Sequence, residues 1–127
     1  GGVALLVKKN VTHNEISIQS EDEIIGISLQ YSKDNNANAS LKIFSHYNPP
    51  DKKLTLDTYN AILKKDESFL ICGDLNAKHI LLNNSVSNDS GICLVDALME
   101  NNWIILNNED ATYFNHKREY KQRLDLI

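Results

Sequence analysis

The chain has 127 residues, of which 42% are hydrophobic and 24% charged, a composition typical of a globular domain rather than a linker or low-complexity segment. Its net charge is −4, so a general basic surface is excluded, and any contact with nucleic acid needs a local patch, a metal ion or a missing segment. No apolar run approaches the roughly 20 residues that cross a bilayer, and no signal peptide is visible, so we expect no membrane partner.

The ends of the chain indicate a fragment of something longer. It begins with Gly1 rather than Met and stops at Ile127, inside a predicted strand. No internal repeat or linker divides it, so we expect one partial domain over residues 1–127. Nothing in the sequence indicates an obligate oligomer. Cys72 and Cys93 have apolar neighbours, which favours core residues in a reducing compartment over a disulfide or a metal pair.

The first third of the chain has the short-period pattern of strands. Apolar residues form a short run or alternate with polar ones, and polar turns separate the segments. Pro49 and Pro50 end the last of them because proline cannot donate to a strand ladder. The predicted strands are residues 2–7, 15–19, 25–31 and 41–46, with a hairpin tip at 32–40, and they suggest an antiparallel meander.

Helical spacing then alternates with short apolar runs. Leucines, Tyr59 and Ile62 recur at helical intervals over 54–65, and a second helix is predicted after a cap at 89–91. Further strands are predicted at 69–72, 103–106 and 124–127, with a loop at 80–88, an extended piece at 112–114 and a charged loop at 115–122. This mixture predicts an α+β sandwich of sheets with helices outside.

The most informative stretch is residues 68–79. An apolar run, predicted to be a strand buried on both faces, ends at Gly73 and is followed by Asp74 and Asn76. Two apart on an extended chain, these side chains would point to the same side. A carboxylate and an amide there suit a hard cation, a water or a phosphate. The same pattern also fits an Asx turn with a helix cap, which needs no function.

Other polar residues lie at or near the ends of predicted strands. Tyr47 precedes Pro49 and Pro50, and a packing role is its simplest interpretation. Thr112 alone is a turn residue by default. Asp125 is flanked by Leu124 and Leu126, so it either faces solvent on an alternating strand or is an inward charge that needs a partner.

In combination these segments resemble the endonuclease/exonuclease/phosphatase superfamily, and most closely the endonuclease domains of non-LTR (LINE-type) retrotransposons. The match is strongest at Gly-Asp-Leu-Asn-Ala-Lys-His, where Leu75 replaces the usual aromatic residue. The other matching segments, in order along the chain, are Gly-Gly-Val-Ala at 1–4, Tyr-Asn-Pro-Pro at 47–50, Asn-Asp-Ser-Gly at 88–91, the loop at 107–114 and Arg-Leu-Asp-Leu-Ile at 123–127.

The resemblance implies a four-layer α/β sandwich, two packed β-sheets flanked by helices, incomplete here at both termini. It implies phosphodiester hydrolysis with Mg²⁺ (or Mn²⁺), and in the retrotransposon branch the nicking of one DNA strand to leave a 3′-hydroxyl. The implied partners are DNA and a reverse transcriptase domain in the same polyprotein, and the implied site of action is the nucleus.

The resemblance also assigns roles. Asp74 would deprotonate the attacking water or ligate the ion, sharing it with a Glu missing from this chain. Asn76 would hold the water or a phosphate oxygen, and Tyr47 would donate to the phosphate. Asp125 would orient a histidine. Thr112 and His79 are substrate-binding candidates, although His79 also fits a capping or packing role.

Three of the family's elements, an early Asn, the metal-binding Glu and a Ser-Asp-His segment, have no match in the chain. We therefore expect residues 1–127 alone to have little or no nuclease activity. Two alternatives stay open: another phosphoesterase of the superfamily, or a decayed or domesticated remnant that binds a partner without catalysis.

Overall fold

The computed structural model describes residues 2–33, 37–64, 67–107, 113–115, 120–122 and 125–126. The chain divides into two compact units. The first contains Gly1–Tyr47 and Asp57–Cys72, and the second contains Asn48–Leu56 and Gly73–Ile127. The predicted α+β class is confirmed, whereas the assignment of one domain stays a prediction. Among the described residues, no helix is both long and apolar enough to span a bilayer.

The first unit contains three strands of the predicted four-strand antiparallel meander. Its strands are β1 (His13–Ile16), β2 (Glu23–Lys33) and β3 (Ala37–Tyr47). β2 and β3 pair over 11 residues each, from Glu23 opposite Tyr47 to Lys33 opposite Ala37. The predicted loop at 32–40 is therefore too long. Main-chain hydrogen bonds extend the ladder through polar residues whose side chains gave no strand signal.

The fourth strand of this sheet does not continue the meander. β4 (Ser68–Asp74) runs parallel to β3, from Leu41 opposite Ser68 to Ser45 opposite Cys72. A parallel pair requires a crossover, and α1 (Asp57–Ile62) lies in it. The predicted helix over 54–65 shortens to six residues. Residues 69–72 are each half-buried, so the prediction of a strand buried on both faces is wrong.

Lys42 fastens this crossover to β3. Its ammonium donates to the Glu67 carboxylate at 2.6 Å and to the Ile62 carbonyl at 3.0 Å. The Lys42 hydrogen bond, together with one from the Lys64 amide, lowers the pKa of Glu67. The end of α1 and the start of β4 are thus held to the strand they flank.

A ring pair forms the core of the first unit. Phe44 and Tyr59 are both 0% exposed and meet edge to face, with ring centroids 5.3 Å apart. The Tyr59 hydroxyl lies 3.0 Å from Nδ1 of the buried His46. Burial, with a smaller contribution from the Asp22 carboxylate, raises the pKa of Tyr59. The helix and β3 are therefore joined by both packing and a buried hydrogen bond.

In the second unit the described elements are short apart from one helix. They are a 3₁₀ turn at Ile80–Leu82, the helix α2 (Asp89–Asn101), and three strands, β5 (Tyr113–Asn115), β6 (Tyr120–Gln122) and β7 (Asp125–Leu126). β5 and β6 form an antiparallel hairpin, which replaces part of the predicted charged loop. The last two residues of β4 pair with β7, with Gly73 opposite Leu126 and Asp74 opposite Asp125.

Two predicted strands are absent from the described residues. Residues 2–8 and 103–107 have no regular secondary structure, and Leu6 and Ile104 are 94% and 78% exposed. Both segments carry the apolar composition of strands. A strand, however, forms only where a neighbour completes its hydrogen bonds, and no described strand pairs with either segment.

Gly26 tests the packing of the first unit. A Cβ there would lie 2.7 and 2.8 Å from two Phe44 ring carbons, and the fully buried ring has no room to move. We expect Gly26→Ala to lower the free energy of unfolding by about 1–3 kcal/mol, measured by urea denaturation. The control is Gln30→Ala, an exposed position on the same strand, which should change stability by less than ~0.5 kcal/mol. Equal effects of the two substitutions would contradict this packing.

Candidate functional site

Asp74 and Asn76 are brought together where β4 ends. The Asn76 amide donates to Asp74 Oδ1 at 3.0 Å, which closes an Asx turn. Asn76 has φ +45°, a left-handed conformation that Asn tolerates better than most residues. The Asx turn offered as a functionless alternative is thus present. It fixes the carboxylate of Asp74 at the strand end, which is what a chemical site there would need.

Asn48 is only 2% exposed, and its main chain forms hydrogen bonds with both Asp74 and Asn76 of this turn. Its amide donates to the Asp74 carbonyl at 2.9 Å, and its carbonyl accepts from the Asn76 side-chain amide at 2.9 Å. Its own side-chain amide donates to the carbonyls of Leu75 (3.1 Å) and Lys52 (3.0 Å). The segment that begins at Asn48 is therefore bonded to successive residues of the turn.

Asn88 holds the turn from its other side. Its Oδ1 accepts from the amides of Lys78 (2.9 Å) and Gly91 (2.8 Å), and its side-chain amide donates to the Asn76 carbonyl at 2.8 Å. The Asn88 main-chain amide also donates to the Lys78 carbonyl at 2.9 Å. As the N-cap of α2, one side chain starts the helix and binds the turn. The cap lies one residue before the predicted 89–91.

Ser90 and Gly91 complete the contact. The buried Ser90 hydroxyl accepts from the Leu54 amide at 3.0 Å, which binds the segment after Asn48 to the first turn of α2. A Cβ on Gly91 would overlap the Lys78 carbonyl. Only glycine permits the helix to approach that peptide so closely.

The other predicted site residues have different outcomes. Asp125 stands directly opposite Asp74 in the antiparallel pair of β4 and β7. Tyr47 is the last residue of β3, in the first unit, half-buried and opposite Glu23. His79 caps the 3₁₀ turn, with Nδ1 accepting from the Leu81 amide at 3.2 Å. Thr112 lies outside the described residues. The roles predicted for these side chains in catalysis or substrate binding stay predictions.

Sequence reasoning missed the roles of Asn48, Asn88 and Ser90. Asn88 carried a usable signal, because Asn directly before a predicted helix is a preferred N-cap residue. Asn48 carried none beyond its place before two prolines. Its function depends on partners about 27 residues away, and no local pattern encodes them.

The arrangement offers a half-buried carboxylate whose orientation is fixed by a peptide N–H, at the end of a strand and opposite a second aspartate position. Among the described residues, no group of three or more His, Cys, Asp or Glu side chains could by itself hold a metal ion.

A family model described as "Endonuclease-reverse transcriptase" matches residues 41–127, more than half of the chain, and includes Asn48, Asp74, Asn76 and Asn88. The chain belongs to the endonuclease-reverse transcriptase family. The family resemblance predicted from the motifs is confirmed.

A solved structure supports the fold of this family member. The chain is similar to the endonuclease domain of TRAS1, a telomere-specific non-LTR retrotransposon, with a TM-score of 0.65 and 20% sequence identity. The match covers 92% of this chain and 52% of the TRAS1 chain, so the 127 residues span about half of that structure. No curated protein sequence matches this endonuclease-reverse transcriptase family member.

Two substitutions at Asn88 separate its acceptor from its donor. Asn88→Ala removes the cap and the partner of the Lys78 amide, so we expect a loss of about 1–2 kcal/mol in unfolding free energy and faster hydrogen exchange at Lys78 and Gly91. Asn88→Asp keeps the acceptor oxygen and loses only the donor to Asn76, so exchange at those two amides should stay slow. Ser87→Ala, exposed and adjacent, is the control. Slow exchange in the alanine variant would disprove the double cap.

Gly91 gives a second prediction for the same contact. We expect Gly91→Ala to destabilise by about 3 kcal/mol or more, because the added methyl group meets main chain rather than a mobile side chain. The neighbouring exposed Ile92→Ala should cost less than ~1 kcal/mol. Urea unfolding of both variants measures the difference, and a Gly91→Ala variant as stable as the wild type would show that the helix can move away from Lys78.

Proposed function

We propose that this chain is part of a retrotransposon endonuclease domain that nicks DNA by metal-dependent phosphodiester hydrolysis. The observation that carries the proposal is Asp74 at the end of β4, with its carboxylate held by the Asn76 amide and Asp125 opposite it in register. Family membership over residues 41–127 and the TRAS1-like fold support the same reaction class. Within this proposal, β1 to β4 belong to one of the two sheets of a four-layer sandwich.

Asp74 acts on the attacking water. It accepts the water proton as the water oxygen bonds to phosphorus, and the bond from phosphorus to the 3′-oxygen breaks. The products are a 5′-phosphate and a 3′-hydroxyl once the leaving oxygen takes up a proton. One Oδ1 lone pair is already used by the Asn76 amide, which fixes the carboxylate for this task.

The donor chemistry fits a hard divalent cation, Mg²⁺ or Mn²⁺. Carboxylate oxygens are its preferred ligands, and Asp74 would supply one, shared with a Glu from outside these 127 residues. When bound, the cation stabilises negative charge on the phosphoryl oxygens.

The remaining residues keep the roles that the family resemblance implies. Asn76 orients the water or a phosphate oxygen, Tyr47 donates its hydroxyl to the phosphate, and Asp125 orients a histidine supplied from elsewhere in the protein. Thr112 and His79 contact substrate. The partners in this proposal are DNA and a reverse transcriptase domain of the same polyprotein, and the nick is made in the nucleus.

Plasmid nicking tests the proposal. The natural protein that contains this chain should convert supercoiled plasmid to the open circle with Mg²⁺ or Mn²⁺ and lose that activity in EDTA. Asp74→Asn should reduce the nicking rate by about 10²-fold or more, because it removes the base. Asp96→Asn, at an exposed position on α2, is the matched control and should nick at the wild-type rate.

Three outcomes would count against this function. Nicking that persists in Asp74→Asn would show that Asp74 is not the base. Nicking that persists in EDTA would show that the reaction does not need a divalent metal ion. Hydrolysis of another phosphoester, without any nicking, would indicate a different phosphoesterase of the same superfamily.

A further inference from the structure

Lys78 is the single lysine or arginine between Lys65 and Lys117. The same interval contains eight aspartate and glutamate residues, Asp74 among them. A chain of net charge −4 repels DNA unless local positive charge compensates. A fixed cation near Asp74 and Asn76 must therefore come from this side chain, from a bound metal or from outside the interval.

The backbone of Lys78 is fixed at both of its polar groups. Its amide donates to Asn88 Oδ1 at 2.9 Å, and its carbonyl accepts from the Asn88 amide at 2.9 Å. The absent Cβ of Gly91 lets α2 pack directly on this peptide. The Asn88 side chain also bonds the Asn76 carbonyl at 2.8 Å, so one amide group ties Lys78 to the turn that carries Asp74.

Within the described part of the chain, no hydrogen bond or ion pair involves the ammonium group of Lys78. The ion pair present among the described residues joins Lys42 to Glu67, and within that part of the chain Lys78 takes part in none. The residue is half-buried, and a lysine in such a place can pack its aliphatic stem while its charged end stays in water.

We propose that Lys78 binds a DNA phosphate next to the one that is cleaved, and that Asn88 and Gly91 fix its position relative to Asp74. The proposal rests on the proposed function, because it takes DNA as the substrate. A lysine acts on phosphate as a point charge, so its contribution is independent of base sequence and sensitive to salt. Lys78 thus contributes DNA affinity and positions the DNA backbone, while Asp74 activates the attacking water.

Salt titration of DNA binding tests this contact separately from cleavage. The probe is a fluorescent DNA duplex, and its anisotropy with the natural protein is measured in EDTA over a series of salt concentrations. Lys78→Gln should weaken binding about 3- to 10-fold at low salt and reduce the slope of log K against log salt by about 1. Lys78→Arg, which keeps the charge, should restore both.

Lys53→Gln is the matched control, since Lys53 is exposed and lies in the same unit without comparable main-chain anchoring. It should keep the wild-type slope. Lys78→Gln should also raise the KM for plasmid nicking several-fold with a smaller change in kcat. A purely structural role of Lys78 would instead leave the slope of log K against log salt unchanged.

The outcomes separate the two proposals. If the wild type nicks DNA and Lys78→Gln keeps its affinity and slope, the Lys78 contact is overturned and the proposed function stands. An equal reduction of the salt-dependence slope in Lys53→Gln would also overturn it, because the effect would then come from the protein's net charge rather than from a contact at Lys78. A wild type that neither binds nor nicks DNA would overturn both.

Discussion

The second unit depends on one constraint: the peptide groups that follow β4 leave the sheet ladder and need other hydrogen-bond partners where they are buried. Amide side chains meet this need, because each carries a donor and an acceptor. The side chain of Asn88 accepts from the Lys78 amide and donates to the Asn76 carbonyl. The Asn48 carbonyl accepts from the Asn76 side-chain amide, and the Asn48 side-chain amide donates to the Leu75 carbonyl. A carboxylate has no donor, and an aliphatic residue has neither group.

This constraint explains why α2 begins where it does. A helix start has amides without intrahelical partners, and Asn88 satisfies the one at Gly91 while also binding Lys78. The close approach then requires a residue without a Cβ at position 91. The same Asn88 side chain therefore caps the helix and fixes the loop, so a change in either contact also alters the hydrogen bonds of the turn that holds Asp74.

Such a network suits the hydrolytic role proposed for Asp74 better than a flexible loop would. Catalysis by a positioned base requires the carboxylate to be fixed before substrate arrives, since reorganisation during the reaction would raise the barrier. Here Asp74 is fixed by the Asn76 amide, and the turn behind it is bonded to the segment from Asn48 and to the start of α2. Asp74 itself is half-buried, so the residue is not sealed from solvent.

The sequence by itself determined the mixed α+β class, the antiparallel strands before Pro49, the helix after Asn88, and the placement of Asp74 and Asn76 at the end of a strand. These depend on local periodicity, turn chemistry and a short motif. Tertiary structure decided that β4 is parallel to β3, that Asp125 stands opposite Asp74, that the apolar segments at 2–7 and 103–106 form no described strand, and that Asn48 and Asn88 fix the site. The reason is physical: strand pairing and buried hydrogen bonds are completed by partners distant in sequence, and one segment's pattern does not specify its partner.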